Sequence, residues 1–191
     1  MTAGDSRFDA VTEAPDVTGA AYRSFGFKLA KTLTDGGTNT HLIRAAFGGA
    51  TSAQYQQHGM AVLDYAAPNV ALYLVYSIND GTPTRAIIDA AKARAVAFVK
   101  KCRAKGVQPY LITSYPRGSM TAPEKALLDA LDVWSAASGV PYFSPLVQYG
   151  TASGDWQSGV STDGTNHMTQ AAYQDMATRV GAAIVTAQLL L

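Results

Sequence analysis

The sequence has few charges and a single cysteine, and both shortages narrow the classes of protein that it can encode. Charged residues make up 15% of its 191 residues, and the formal net charge is +1. Without a dense run of lysine and arginine, the chain has no field that would attract nucleic acid or an anionic membrane. Cys102 has no second cysteine to pair with. An intrachain disulfide is therefore excluded, and the place of Cys102 on an apolar helical stripe predicts a buried thiol.

Long apolar segments and leader-like segments are also lacking. The apolar stretch at 184–191 is too short and too interrupted to cross a bilayer. The first residues are small and polar, so no secretory signal is predicted. These patterns predict a soluble chain that does not insert into a membrane. They leave the compartment open, although the low charge and many small residues would suit an extracellular or phage-borne domain.

Apolar residues are plentiful, at 48% of the sequence, which is enough for the core of one ordinary domain. Apolar runs typical of buried strands alternate with segments of helical periodicity, and no repeat or linker divides them. The clearest strand, 70–76, is apolar throughout, as expected for a parallel sheet that is covered on both faces. The pattern predicts one α/β domain over 1–191, a three-layer α/β/α sandwich with a mostly parallel central sheet.

The other predicted elements follow from the same two periods. Strands are expected at 41–47, 108–113 and 140–143. Helices are expected at 20–33, from 51 or 52 to 65, from 83 to 105, at 121–138 and along 172–184. A Gly-, Ser- and Thr-rich loop at 144–165 separates the last strand from the last helix.

Polar residues gather where the predicted strands end, and in parallel α/β sheets ligands bind at such loops. These loops are 48–52, 79–81, 114–117 and the long loop, in which Asp163 precedes His167. Ser6 lies at the opposite end of the chain. A hydroxyl, an imidazole and a carboxylate are the parts of a hydrolytic triad, in which the base takes the serine proton and the acid orients the base. No His/Cys/Asp cluster with metal-ligand spacing occurs in the sequence.

Four blocks, in order along nearly the whole chain, resemble those of the SGNH (GDSL-type) hydrolase superfamily. The blocks are Gly4-Asp5-Ser6, Gly48-Gly49-Ala-Thr-Ser52, Ser77-Ile-Asn79-Asp80 and Asp163-Gly-Thr-Asn-His167. Two of them depart from the usual form: Ser77 replaces a glycine, and four positions instead of three separate Asp163 from His167. Each block alone is common by chance, whereas the four together on the predicted loops are typical of the superfamily.

The resemblance implies the flavodoxin-like SGNH hydrolase fold and ester hydrolysis without a metal or an organic cofactor. It implies that Ser6 is the nucleophile, His167 the general base and Asp163 the residue that orients the base. It also implies an oxyanion hole formed by the backbone N–H groups of Ser6 and Gly49 and by the side-chain amide of Asn79. The expected substrates are small esters with short acyl groups, because no apolar lid or long apolar segment could hold a fatty chain. O-acetyl groups on carbohydrate are favoured, and short-chain lipid or aryl esters are the close alternative.

Four candidate substrate-binding residues lie on the same loops, and each of them also has a simpler interpretation. They are Tyr115, Arg117, Trp156 and Asn166. The two aromatics could equally pack in the core, Arg117 could be an ordinary surface residue and Asn166 could belong to the entry of a helix. In the same way, Ser6 could merely cap a helix.

Only three residues precede Gly4, fewer than a buried central strand needs, so the first strand is predicted to be truncated. A poorly fixed nucleophile loses activity, since about 1 Å of misplacement can cost on the order of 100-fold in rate. The alternative function is therefore a catalytically impaired domain that binds carbohydrate, with Trp156 and Tyr115 as stacking surfaces. A nucleotide-binding domain would share the architecture, but neither a Gly-x-Gly-x-x-Gly nor a Walker motif is present. These patterns set neither the natural substrate nor the oligomeric state.

Overall fold

The computed structural model describes residues 1–9 and 24–187, except for the side chain of residue 9. Within these residues, four parallel strands form one sheet in the order β1 (Thr2–Ala3), β2 (Val70–Leu74), β3 (Gln108–Ile112) and β4 (Tyr142–Phe143). The helices are α1 (Ser6–Asp9), α2 (Phe25–Asp35), α3 (Ser52–Tyr65), α4 (Arg85–Ala104), α5 (Ala122–Ala137), α6 (Pro145–Tyr149) and α7 (Gln170–Thr186), with a short 3-10 turn at Ile78–Asp80.

The sheet is covered on both faces. α3 and α4 pack on each other, α3 also packs on β1 and α4 on β2 and β3, while α2 packs along α7. Every residue of β2 is buried, which explains why its sequence is apolar without alternation. The predicted α/β architecture with a parallel sheet is confirmed, and so are the strands beginning at 70 and 108, although β4 is shorter than predicted.

β1 is short and stands first in the strand order, yet it has backbone partners on both sides. Thr2 pairs with Leu72 of β2 on one side and with Arg44 on the other. The backbone N–H of Thr2 donates to the Ile43 carbonyl at 3.0 Å, and the N–H of Ala45 donates to the Thr2 carbonyl at 2.8 Å. The prediction of a strand over 41–47 was wrong in extent: only Arg44 forms a bridge, because the short β1 presents few backbone groups to pair with.

The helices begin where the sequence places side-chain caps. Thr51 caps α3, Thr121 forms a capping box with Glu124 at α5, and Thr169 caps α7. The predicted inward stripe of α4 is buried as expected, at Ile88, Ala91, Ala95, Phe98, Val99 and Cys102. Pro83 precedes α4 instead of opening it, since Thr84 is the cap.

Two predictions need adjustment along the rest of the chain. The helix expected at 20–33 runs from Phe25 to Asp35 in the structure. Positions 20–23 of the prediction lie outside the described ranges. The long loop contains the short helix α6, which starts at Pro145 after the capping hydroxyl of Ser144. Among the helices in the described ranges, none combines the length and the apolar character that spanning a bilayer would require.

Candidate active site

The turn from β1 into α1 brings Ser6 to the carboxyl edge of the sheet. Ser6 is the first residue of α1 and is 8% exposed. This turn requires glycine at position 4, because a Cβ on Gly4 would lie 2.7 Å from the ring of Phe8. Backbone hydrogen bonds on both sides of β1 hold the segment, so the short first strand still fixes the position of Ser6.

Ser6, His167 and Asp163 meet at this edge, although Ser6 and His167 are 161 positions apart in the chain. Ser6 Oγ lies 3.2 Å from Nε2 of His167. On the other side of the ring, Nδ1 of His167 lies 2.7 Å from Oδ2 of Asp163. The three groups that the sequence predicts as a triad are therefore within hydrogen-bonding distance in the order hydroxyl, imidazole, carboxylate.

The two oxygens of Asp163 have different partners. Oδ1 accepts the backbone N–H groups of Thr165 and Asn166 at 2.8 Å each and that of His167 at 3.2 Å. Partial burial acts to raise the pKa of Asp163, but the Asn166 and Thr165 N–H groups, with the His167 ring and backbone, hold it well below its usual range. The four-residue spacing from Asp163 to His167 thus closes a turn on one carboxylate oxygen and leaves Oδ2 for the imidazole.

The loops that carry Asn79 and Gly49 are joined by hydrogen bonds. The Nδ2 group of Asn79 donates to the carbonyl of Ala50 at 3.0 Å. The hydroxyl of Ser77 lies within hydrogen-bonding distance of that carbonyl, at 2.9 Å, and of Asp5 Oδ2, at 2.7 Å. Gly49 has a φ of +74°, and no atom lies within 4 Å of the position of a Cβ, so its backbone conformation and not crowding requires glycine. The second and third sequence blocks are therefore fastened to each other and to the residue before Ser6.

A buried ion pair beside Ser6 was missed by the sequence reasoning. Asp5 and Arg7 are 0% and 2% exposed, and the guanidinium of Arg7 binds both carboxylate oxygens of Asp5. Burial alone would raise the pKa of Asp5, but the charge of Arg7 and hydrogen bonds from Arg7 and Ser77 hold it below its usual range. The only sequence signal was a pair of opposite charges on either side of Ser6, which does not reveal burial.

Asp80 holds its loop against the start of α3. Its Oδ1 accepts the backbone N–H of Ser52 at 2.8 Å, and its Oδ2 accepts the Ser52 hydroxyl at 2.5 Å. Ser52 is the first residue of α3, so the carboxylate also lies at the positive end of that helix. These contacts account for Asp80 without a contact to substrate.

Two of the four candidate substrate-binding residues, Tyr115 and Trp156, are buried and do not line the surface of the site. Tyr115 is buried under the guanidinium of Arg7, and its hydroxyl lies 3.5 Å from the sulfur of Met176. Trp156 is also buried, and its indole N–H donates to the Thr165 carbonyl at 2.9 Å. Neither ring offers a stacking surface, so that expectation was wrong and the core interpretation holds: both aromatic rings help to fill the space beneath the loops.

Arg117 and Asn166 differ in what they leave accessible. Arg117 is paired with Glu124 at 2.6 Å, and its side chain is 18% exposed, so it is a structural residue and does not present a free cation. Asn166 is half-buried, with its backbone N–H on Asp163. Of the four candidates, Asn166 alone keeps a partly exposed side chain within the turn that carries Asp163 and His167. Within residues 1–9 and 24–187, no group of three or more His, Cys, Asp and Glu side chains could hold a metal ion.

No family model matches the sequence, and no curated protein matches it either. Solved structures do match. A protein assigned to the lipolytic G-D-S-L family from Desulfitobacterium hafniense superposes with a TM-score of 0.75 at 13% identity, over 95% of this chain and 97% of that chain. The lipase/acylhydrolase from Enterococcus faecalis gives 0.70 at 16% identity, over 96% and 93%. The psychrotrophic esterase EstA from Pseudoalteromonas sp. gives 0.69 at 17% identity, over 100% and 97%.

These similarities establish the fold. The chain has the α/β fold of the SGNH (GDSL-type) hydrolases, as its four sequence blocks predicted. At such low identities the structural match says nothing by itself about the reaction.

Proposed function

We propose that this chain is a serine ester hydrolase in which Ser6 is the nucleophile, His167 the general base and Asp163 the residue that orients the base. The observation that carries this proposal is the pair of contacts on the imidazole, 3.2 Å to Ser6 and 2.7 Å to Asp163. Nucleophile and base within hydrogen-bonding reach, with a third group on the base, is the arrangement that activates a serine hydroxyl.

The protonation of the imidazole follows from Asp163. Because its pKa is held low, Asp163 is a carboxylate at neutral pH and can only accept a hydrogen bond. The proton of neutral His167 therefore lies on Nδ1, and Nε2 faces Ser6 with a free lone pair. In this tautomer the ring accepts the serine proton as Oγ attacks the acyl carbon, and it gives that proton to the leaving alcohol. Water then hydrolyses the acyl-enzyme with His167 again as base.

An oxyanion hole would stabilise the tetrahedral intermediate. We assign its donors to the backbone N–H groups of Ser6 and Gly49 and to the amide of Asn79. This assignment is supported by the hydrogen bond from Asn79 Nδ2 to the Ala50 carbonyl, which joins the Gly49 and Asn79 loops. Each donor of this kind typically contributes about 100- to 1,000-fold in rate.

The substrate class proposed is an ester with a short acyl group, including O-acetyl groups on carbohydrate. Thr162 and Thr165, on the turn that carries Asp163 and His167, are exposed and polar, and so is Asn79. This suits a hydrophilic alcohol portion better than a fatty chain. Of the three neighbours, one is named for lipolysis, one as a lipase/acylhydrolase and one as an esterase, and all three names describe ester cleavage. The alternative of a binding-only domain loses its stacking surfaces, because Tyr115 and Trp156 are buried.

Turnover of p-nitrophenyl acetate tests the proposal. Ser6→Ala and His167→Ala should each lower kcat by at least about 1,000-fold, because the two groups act as one unit. Ser158→Ala and His58→Ala are matched controls at exposed positions and should keep the wild-type rate. A wild type no faster than Ser6→Ala would overturn the proposal. Acetate, butyrate and octanoate esters then test chain length, and a kcat/KM that rises towards octanoate would contradict the short-acyl assignment.

A further inference from the structure

The two halves of the proposed triad belong to separate parts of the fold. Ser6 follows β1 near the start of the chain, whereas Asp163 and His167 share one turn before α7. The contact between Ser6 and His167 is a 3.2 Å hydrogen bond, at the long end of the usual range. A single contact of this kind does not fix the separation of two segments, so neighbouring packing has to set it.

A buried stack connects the two segments. It starts at Arg7, directly after Ser6, whose guanidinium lies 4.7 Å from the centre of the Tyr115 ring. The Tyr115 ring in turn lies 6.4 Å from the ring of Trp156, centre to centre and tilted by 50°. All three side chains are less than 10% exposed. Close-packed side chains of this kind have little freedom to shift independently.

Trp156 completes the connection with its polar edge. Its indole N–H donates to the carbonyl of Thr165 at 2.9 Å. The N–H of the same residue, Thr165, donates to Oδ1 of Asp163 at 2.8 Å. The indole therefore holds the turn whose other bonds orient Asp163 and His167. The backbone N–H of Gly118 also donates to the Thr165 carbonyl, at 3.1 Å, so this carbonyl is held from two sides.

We infer that Trp156 is a positioning residue that sets the distance between Ser6 and His167, acting through the Thr165 carbonyl on one side and through Tyr115 and Arg7 on the other. The inference rests on the proposed ester hydrolysis. It gives the buried indole a role that packing alone would not require, since a phenylalanine ring could fill much of the same space without donating a hydrogen bond.

Trp156→Phe isolates this role because it retains an aromatic ring and removes the N–H donor. The expected effect is a fall in kcat of about 10-fold with KM little changed, since a shift of about 1 Å can cost on the order of 100-fold and the Gly118 bond remains. Trp134→Phe is the matched control: Trp134 lies on α5, where its ring faces Lys92, and its substitution should leave kcat unchanged.

Counting active sites separates positioning from simple loss of structure. Each variant is titrated to completion with a fluorophosphonate that labels serine nucleophiles, and kcat for p-nitrophenyl acetate is expressed per labelled site. A lower kcat per site in Trp156→Phe supports the inference. Fewer sites with the wild-type kcat per site would show that Trp156 only packs, and would overturn the inference while leaving the proposed function intact. If wild type and Ser6→Ala were equally inert, the proposed function would fail and the inference with it.

Discussion

The buried ion pair between Asp5 and Arg7 makes stability sensitive to substitution beside Ser6. Arg7→Met would leave the fully buried carboxylate of Asp5 without its counter-ion, while keeping much of the apolar volume. Removing one partner of a buried pair typically destabilises a protein by about 3–5 kcal/mol. For a chain of this size, about 1 kcal/mol shifts Tm by roughly 2–4 °C, so Tm should fall by roughly 6–20 °C.

The pH dependence of this loss has a definite sign. In the native protein the pKa of Asp5 is held below its ordinary value, so its contribution to stability is present above the unfolded-state pKa. That contribution is lost as pH falls through the folded-state pKa. In Arg7→Met the unpaired, buried carboxyl has a raised pKa, so the folded variant gains a proton on acidification. The deficit relative to wild type should therefore shrink between about pH 7 and about pH 4.5.

Urea unfolding at the two pH values measures both effects. The double variant Asp5→Asn/Arg7→Met removes both charges and should regain much of the lost stability, because an amide can still accept the Ser77 hydroxyl. A deficit below about 1 kcal/mol for Arg7→Met at pH 7 would refute the reasoning, since that is the range of an exposed pair. A deficit that grows on acidification would refute it as well.

Three further predictions concern the loops around the site. Gly118→Ala should lower kcat, because a Cβ there would lie 2.5 Å from the carbonyl oxygen of Gly164 and push on the turn of Asp163; Gly36→Ala, at an exposed helix end with ordinary φ, is the control and should leave kcat unchanged. Asn79→Ala should lower kcat by about 100- to 1,000-fold in a protein whose circular dichroism is unchanged, and a smaller fall would remove Asn79 from the oxyanion hole. Because the pKa of Asp163 is depressed, its stabilisation is lost as pH falls through that value; Asp163→Asn should lose less stability than wild type in acid denaturation, and equal losses would count against the Asp163 hydrogen bonds.

Much of the fold could be predicted from sequence because its determinants are local. The apolar run at 70–76 and the stripe from Ile88 to Cys102 carry their own periodicity, and both are buried as expected. The caps at Thr51 and Thr121 were visible in the same way. The strand expected at 41–47 failed because pairing depends on a partner far away in sequence, and β1 offers few groups.

The residues of the proposed site also differ in whether local sequence could reveal them. Ser6, Asn79, Asp163 and His167 were predicted because each belongs to a short block at a strand end. The positions of Tyr115 and Trp156 were not, since nothing local tells a rim aromatic from a buried one. Whether these rings face solvent depends on Arg7 and Thr165, which come from other parts of the chain.

Covalent labelling of the nucleophile tests the central claim most directly. The wild-type chain is treated with a fluorophosphonate, which forms a stable tetrahedral adduct on an activated serine, and the modified peptide is identified by mass spectrometry. We predict one adduct, on Ser6, that forms far more slowly in His167→Ala. An unlabelled Ser6, or labelling that does not depend on His167, would contradict a triad of Ser6, His167 and Asp163.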